Sequence, residues 1–216
     1  MMKVMNVLVL LVVVLARGGR VVVEATNQTQ EERRAVAKRL VESVLRKIGS
    51  AENSKIPDGT GYVLSEINGR CTPFHYGCLH TNNTRMTPRF RDSSDGNGYV
   101  FAFANDGTCL AHGQRPDEFV GRTTNEVIAS SIPELLGKLD GDKLHTMMLE
   151  KAQAGGGWVT YSWITPTGVV YDKTSYVKQP TEPPFPLGLV YEDMYIGSGF
   201  NITSMEEAPA AAPTEE

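Results

Sequence analysis

Apolar residues recur along the chain with two periods, and the period changes near residue 98. In the N-terminal part, Val36, Leu40, Val41, Val44, Leu45 and Ile48 fall three and four apart and form one helical stripe, while Glu31, Arg33, Arg34, Lys38, Arg39, Glu42 and Arg46 take the other faces. Thr29 followed three residues later by Glu32 is a capping-box start, and Gly49 is a natural stop, which predicts a helix over 29–49. Such a stripe either covers a sheet or pairs in a coiled coil, and one helix this short is expected to cover a sheet. Residues 50–97 follow neither period; rich in Gly, Asn, Pro and Ser, with only Tyr62-Val63-Leu64 as an apolar stretch, they read as an irregular lobe.

From Gly98 the period becomes two. Tyr99, Phe101 and Phe103 alternate with Val100, Ala102 and Ala104, Asn105-Asp106-Gly107 supplies a hairpin turn, and Cys109 to His112 returns. Glu118 to Ala154 turns helical, with Leu144, Met147, Met148 and Ala152 as the expected buried stripe and Gly155-Gly156-Gly157 ending it. Three strands follow, Trp158 to Ile164, Val169 to Lys178 and Leu187 to Phe200, joined by Thr165 to Gly168 and a proline-rich corner at 179–186. Strands joined by turns are usually antiparallel neighbours. The order predicts an α+β domain of about five antiparallel strands with helices on one side, the lobe and loops covering the other face and leaving a pocket there.

Composition narrows the class. With 41% apolar residues, 21% charged and 21 glycines in 216 residues, the chain is globular, neither collagen-like nor disordered throughout. One domain, residues 26–205 with a sheet core at 98–200, is the expectation. The formal charge is −4, and the tail 206–216 alone holds Glu206, Glu207, Glu215 and Glu216, so the remainder is neutral and carries no basic footprint for nucleic acid. That tail of Glu, Ala, Pro and Thr cannot bury a face and reads as disordered.

The N-terminus points to a compartment. Met1-Met2-Lys3 and the apolar run Val4 to Ala16 have the pattern of a secretory signal over residues 1–25, too short to cross a bilayer comfortably; an uncleaved anchor in the membrane is the alternative. Secretion or delivery to a secretory lumen is therefore expected. Asn27, Asn82 and Asn201 each begin an acceptor sequon, which predicts surface positions carrying glycan. Of the three cysteines, Cys71 and Cys78 close a short loop suited to a disulfide, leaving Cys109 single. The same stretch, Cys71, His75, Cys78 and His80, offers four zinc-type donors, but its spacing is not that of a known finger, so no metal or cofactor is assigned.

Six blocks in order carry a resemblance: Gly98-Tyr99-Val100-Phe101-Ala102-Phe103 with Asp106-Gly107 and Leu110-Ala111-His112; Phe119-Val120-Gly121; Gly156 to Trp163; Lys173-Thr174-Ser175-Tyr176-Val177; and Tyr195-Ile196-Gly197-Ser198-Gly199-Phe200. Together they resemble the single Cache domain of the type-2-like class. The resemblance covers about residues 97–200, with the helix at 29–49 in the place of that family's long N-terminal helix. It implies a PAS-like antiparallel sheet, an extracytoplasmic sensor function, a small organic acid as ligand, and a membrane-bound signalling partner. The chain departs from the family in its cysteine-bearing segment 50–97 and in having Gly113 where a proline often follows the histidine.

A short carboxylate in an apolar pocket needs one fixed cation and a few neutral donors. Lys173 interrupts the row Val169, Tyr171, Ser175 and Val177 on one strand face, and the resemblance points to the same lysine; a lysine that merely guards an edge strand is the competing reading. His112 is a candidate donor or else a core or solvent-facing histidine. Tyr161 and Trp163 share a strand face as phenol and indole donors, or as plain core. Tyr99 could use its hydroxyl, and Tyr176 is counted with these contacts; Gly197 and Gly199 read as structural positions that permit a bulge or a close approach. No catalytic motif is present, and Cys109 with His112 is only a proximity in sequence, so a sensor that does not turn its ligand over is expected. The alternative is a glycosylated structural or adhesive secreted module with no small-molecule ligand.

Overall fold

The structure is a computed structural model that describes residues 29–54, 58–70, 90, 98–165, 168–180 and 193–202, residues 52 and 53 by backbone alone. The expected signal segment, the acidic tail, Asn27, Asn82, Cys71, His75, Cys78 and His80 lie outside the described residues.

Helix α1 spans Gln30–Asn53. Its start is the expected capping box: the Thr29 amide donates to Glu32 Oε2 at 2.8 Å, and the Glu32 amide donates to Thr29 Oγ1 at 3.2 Å. The helix runs through Gly49 rather than stopping there. Ala37, Val41, Val44, Ile48 and Ala51 continue one buried stripe to the end, and that burial outweighs the roughly 1 kcal/mol penalty of an interior glycine. Helix α2, Gly59–Asn68, lies inside the segment expected to be irregular. Asp58 caps it by accepting from the Gly61 amide, and Gly69 closes it in the left-handed region at φ 64°. Val63 and Ile67, one turn apart and both fully buried, face α1 and the sheet. The buried Glu66 pairs with Lys47 of α1, which ties the two helices together.

Strands β1 (Tyr99–Ala104) and β2 (Cys109–His112) form the expected hairpin. The chain then makes α3 (Pro116–Phe119), α4 (Thr124–Ser131), a 3₁₀ turn at Pro133–Leu135 and α5 (Gly141–Gln153). Strands β3 (Gly157–Ile164), β4 (Val170–Lys178) and β5 (Met194–Asn201) complete an antiparallel five-stranded sheet in the order β2-β1-β5-β4-β3. The fold is thus α+β with a PAS-like antiparallel sheet, as expected.

The distribution of helices is not as expected, because they cover both faces. Val100, Ala102, Ala111, Tyr176, Met194 and Ile196 project toward α1 and α2. The alternate residues Tyr99, Phe101, Phe103, Tyr161, Trp163, Tyr171, Val177 and Tyr195 project toward α3 to α5, where Phe119, Val127, Ile132, Leu135, Leu144 and Met148 meet them. A sheet apolar on both faces needs two covers, and the alternation within β1 already carries that demand. Within α5 the buried stripe is Leu144, Met148 and Ala152; Met147, expected among them, is 39% exposed because it lies one position off the four-residue spacing.

Strand β5 sits at the centre of the sheet and carries two glycines for a steric reason. A Cβ on Gly197 would lie 2.3 Å from Phe101 Cζ, and one on Gly199 would lie 2.1 Å from Ser175 Oγ and 2.2 Å from the Thr174 carbonyl oxygen. Both positions keep regular register with β1 and β4, so they serve close approach and not a bulge. Gly199→Ala is expected to destabilise the domain by about 3 kcal/mol through overpacking against backbone. Gly49→Ala, with nothing within 4 Å of the new methyl, is expected to stabilise it by about 0.5–1 kcal/mol. Urea unfolding of the two variants beside the wild type checks both signs.

Candidate ligand site

The face of the sheet beneath α3 to α5 is where the polar candidates gather. Alternation along β4 sends Tyr171, Lys173, Ser175 and Val177 to this face, and the register sets Lys173 between Tyr161 of β3 and Asn201 of β5. Since β4 is flanked by strands on both sides, Lys173 is not an edge lysine and does not guard against edge pairing. Its side chain is fully buried at 0% exposure. The ammonium Nζ lies 3.7 Å from the ring centroid of Tyr99, 5.7 Å from that of Trp163 and 5.9 Å from that of Phe101. Aromatic faces carry negative potential, so this cluster attracts the cation where water is excluded.

The neighbouring candidates are held in fixed orientations. Tyr161 and Ser175 share a hydrogen bond of 3.0 Å between their hydroxyls. His112 stacks on Phe119 at 4.2 Å between centroids and tilts against Tyr99 at 4.8 Å. Its Nδ1 accepts from the Arg115 amide at 2.9 Å, which makes Nε2 the protonated nitrogen of the neutral ring. The Asn68 side chain accepts from the His112 amide at 2.8 Å and so joins α2 to the end of β2. Lys173, Tyr161, Trp163, His112 and Tyr99 are therefore brought together. Tyr176 is not: it faces the opposite side of the sheet, against Trp158 and under Lys38 of α1, because it is an odd number of positions from Lys173 on the same strand.

One further residue of the site was not singled out by sequence. His145 of α5 bridges the hairpin and the central strand, with Nε2 3.1 Å from the Asn105 carbonyl oxygen and Nδ1 3.1 Å from Tyr195 Oη. A carbonyl can only accept, so Nε2 donates and Nδ1 takes the tyrosine proton in the neutral ring. The signal available was position, since His145 adjoins Leu144 on the buried stripe of α5.

Tyr99, Tyr161, Trp163, His112, His145 and Tyr195, with Phe101, Phe103, Thr124, Leu144 and Met148, line a hollow of only about 20 Å³. That is room for about one water. Lys173 is not itself among the lining residues; its ammonium adjoins the hollow through the rings of Tyr99, Phe101 and Trp163, which are. Burial pushes the ionisation of the lining phenols up: desolvation is the largest cause for Tyr99, Tyr161 and Tyr195, and neighbouring phenols add to it for all three. The Cys109 thiol, also buried on this face, is pushed up to about 12 by desolvation.

The third sequon fails its surface criterion, because Asn201 is 5% exposed at the end of β5 and its carbonyl accepts from Arg33 of α1. For metals, no cluster of three or more His, Cys, Asp or Glu side chains occurs among the described residues.

The sheet order, the long helix on one face and the buried lysine define a PAS-like α+β module with a polar group inside one of its faces. The sequence profile of the Cache domain matches residues 89–209, more than half of the chain, and the chain belongs to that family. Domains of this family are in general extracellular sensor modules of membrane signalling proteins. Among solved structures, a methyl-accepting chemotaxis protein from Vibrio parahaemolyticus RIMD 2210633 is 15% identical, with 80% of this chain and 90% of that chain covered, at a TM-score of 0.42. At that score the likeness carries no argument. No curated protein matches the chain. No helix among the described residues is long and apolar enough to cross a membrane.

The raised thiol gives a pH prediction. Above pH 9.0, the ordinary value, the unfolded chain releases the Cys109 proton while the folded chain keeps it until about 12. In that window the folded state binds more protons, so stability falls as pH rises. Cys109→Ala removes this component, so the stability gap between wild type and variant should shift toward the variant by about 1.4 kcal/mol per pH unit above pH 9. Urea titrations at pH 8, 9.5 and 10.5 read the gap, and a gap independent of pH would show the thiol titrating alike in both states.

Proposed function

We propose that this chain is an extracytoplasmic sensor domain that binds a short organic acid, of two to four carbons, in the hollow beneath α3 to α5 and releases it unchanged. The observation that carries the reading is the ammonium of Lys173, buried in the middle of a sheet face and ringed by aromatic faces and neutral donors. A carboxylate placed against it would form a charge-assisted hydrogen bond in a low-dielectric setting, where such bonds are strongest. Tyr161, Trp163 and the Nε2–H of His112 would supply neutral donors, and Tyr99 the floor. The same set contains no activated nucleophile, since burial holds Cys109 in its unreactive thiol form. Secretion through the N-terminal segment, and a membrane-bound partner that reads the occupied state, belong to the same proposal.

One observation favours the second reading, a structural secreted module without ligand: the hollow is filled to about one water. Under the sensor reading the closed form is the unliganded one, and an acid enters when the lining parts. The two readings separate in a thermal-shift panel of acetate, propionate, pyruvate and malate. The sensor reading expects a rise in Tm with at least one of them, since a ligand that prefers the folded state stabilises it. Lys173→Met should then weaken that acid by about 1.5–3 kcal/mol. Tyr161→Phe, which keeps the ring and loses the hydroxyl, should weaken it by about 1 kcal/mol. No shift with any acid, or an affinity unchanged in Lys173→Met, removes the sensor reading and leaves the structural one.

A further inference from the structure

A second concavity lies on the outer side of α5, where its N-terminal end meets β3, the edge strand of the sheet. On the measure that gives the inner hollow about 20 Å³, this groove holds about 490 Å³. Small-molecule sites span about 300–1,000 Å³, so the groove has the size of a ligand site as it stands. It is lined by consecutive residues of β3, Thr160, Tyr161 and Ser162. Successive strand residues point to opposite faces, so the groove runs along the strand's edge rather than over either face.

Its chemistry is two-sided. Leu139, Leu144, Met147 and the Tyr161 ring give an apolar wall. Met147 is one of only three large apolar side chains exposed among the described residues, and Leu136, another, sits just before the groove's first residue, Gly137. Exposed apolar area of this kind marks interaction sites more often than scattered single residues do. The polar rim carries the ammonium groups of Lys138 and Lys143 and one carboxylate, Asp140. Asp140 is committed to its own helix, since Oδ1 accepts from the Asp142 and Lys143 amides, each at 3.1 Å. The rim therefore presents an excess of positive charge beside an apolar wall.

The geometry points to a binding site for an amphipathic organic anion, whose carboxylate would lie between Lys138 and Lys143 and whose apolar chain would lie along Leu139, Met147 and Tyr161. Leu144 and Tyr161 also line the inner hollow, so the two spaces share a partition, while Lys138 and Lys143 line the outer groove alone. The site stands apart from the Lys173 site, and neither requires the other.

Sodium octanoate is the probe, titrated calorimetrically into the full chain at low salt. The wild type is expected to bind it saturably. The double variant Lys138→Glu with Lys143→Glu, both exposed positions whose replacement leaves the fold intact, should lose at least about tenfold in affinity. Lys173→Met should leave octanoate binding within about twofold. Absence of octanoate binding in the wild type overturns the proposal, as does affinity indifferent to the double reversal, or a loss that follows Lys173→Met instead. Failure of the inner site is read separately, from acetate to malate with Lys173→Met, so the two outcomes cannot be confused.

Discussion

A lysine ammonium buried in the middle of a sheet face is the constraint around which the rest of this domain is arranged. Removing such a charge from water costs several kcal/mol, and a cation over an aromatic face recovers about 2 kcal/mol of it when both are desolvated. The chain supplies that offset from two other strands: Tyr99 and Phe101 from β1 and Trp163 from β3 lie within 6 Å of Lys173 Nζ. To reach the lysine on β4, the β1 rings must extend across β5, which lies between them. Glycine at 197 and 199 makes this possible, since a methyl group at either would occupy space already taken by Phe101, Ser175 or the β4 backbone. The aromatic alternation of β1, the glycines of β5 and the lysine of β4 are thus one steric and electrostatic solution written across three strands.

That solution also explains the asymmetry between the covers. The α1 and α2 face is aliphatic at its centre, with Val41, Val44, Ile48, Val63 and Ile67 against Val100, Ala102 and Ile196, carries Tyr176 and Trp158 beneath α1, and has its two helices joined by the Lys47–Glu66 pair. The opposite face is aromatic and polar, and its cover is stitched on by specific hydrogen bonds. His145 connects α5 both to the β1–β2 turn and to β5, and Tyr195 of β5 also donates to Met148 Sδ. Aliphatic packing tolerates small rearrangement of shape, whereas a histidine with both nitrogens engaged fixes the position of its helix. The two faces therefore divide the labour, one holding the domain together and the other setting the shape of the hollow.

Much of this was legible in the sequence, and what was not has physical causes. The hairpin, the capping box at Thr29 and the three C-terminal strands are local signals, and local signals survive folding. The grouping of Lys173 with Tyr161, Trp163, His112 and Tyr99 was also accessible, because strand alternation and the family resemblance converge on it. Tyr176 was misassigned for want of that same alternation, being three positions from Lys173. Gly49 did not end α1 because a stop signal worth about 1 kcal/mol competes with burial of Ala51 on the tertiary side. Helix α2 was hidden because ten residues carrying two glycines and a serine have weak propensity and hold their shape through Val63 and Ile67 against α1. His145 and the groove along β3 depend on which helix meets which strand, which no local period encodes.

The closed hollow bears on how a site of this kind must work. The β1–β5, β5–β4 and β4–β3 pairings are continuous, the β1–β2 pairing shifts register once between Ala102 and Phe103, and opening any of them breaks several backbone hydrogen bonds at once. The cover is built otherwise: apart from the thirteen-residue α5, it consists of α3 with four residues, α4 with eight and the 3₁₀ turn with three, and it is tied to the sheet by side-chain packing and a few hydrogen bonds. Space for an occupant larger than water is therefore made most cheaply by displacing the cover. A ligand held by Lys173 would then be sensed as a change in the position of α3 to α5 relative to a rigid sheet, and the engaged nitrogens of His145 place the resistance to that change at the start of α5 and the β1–β2 turn.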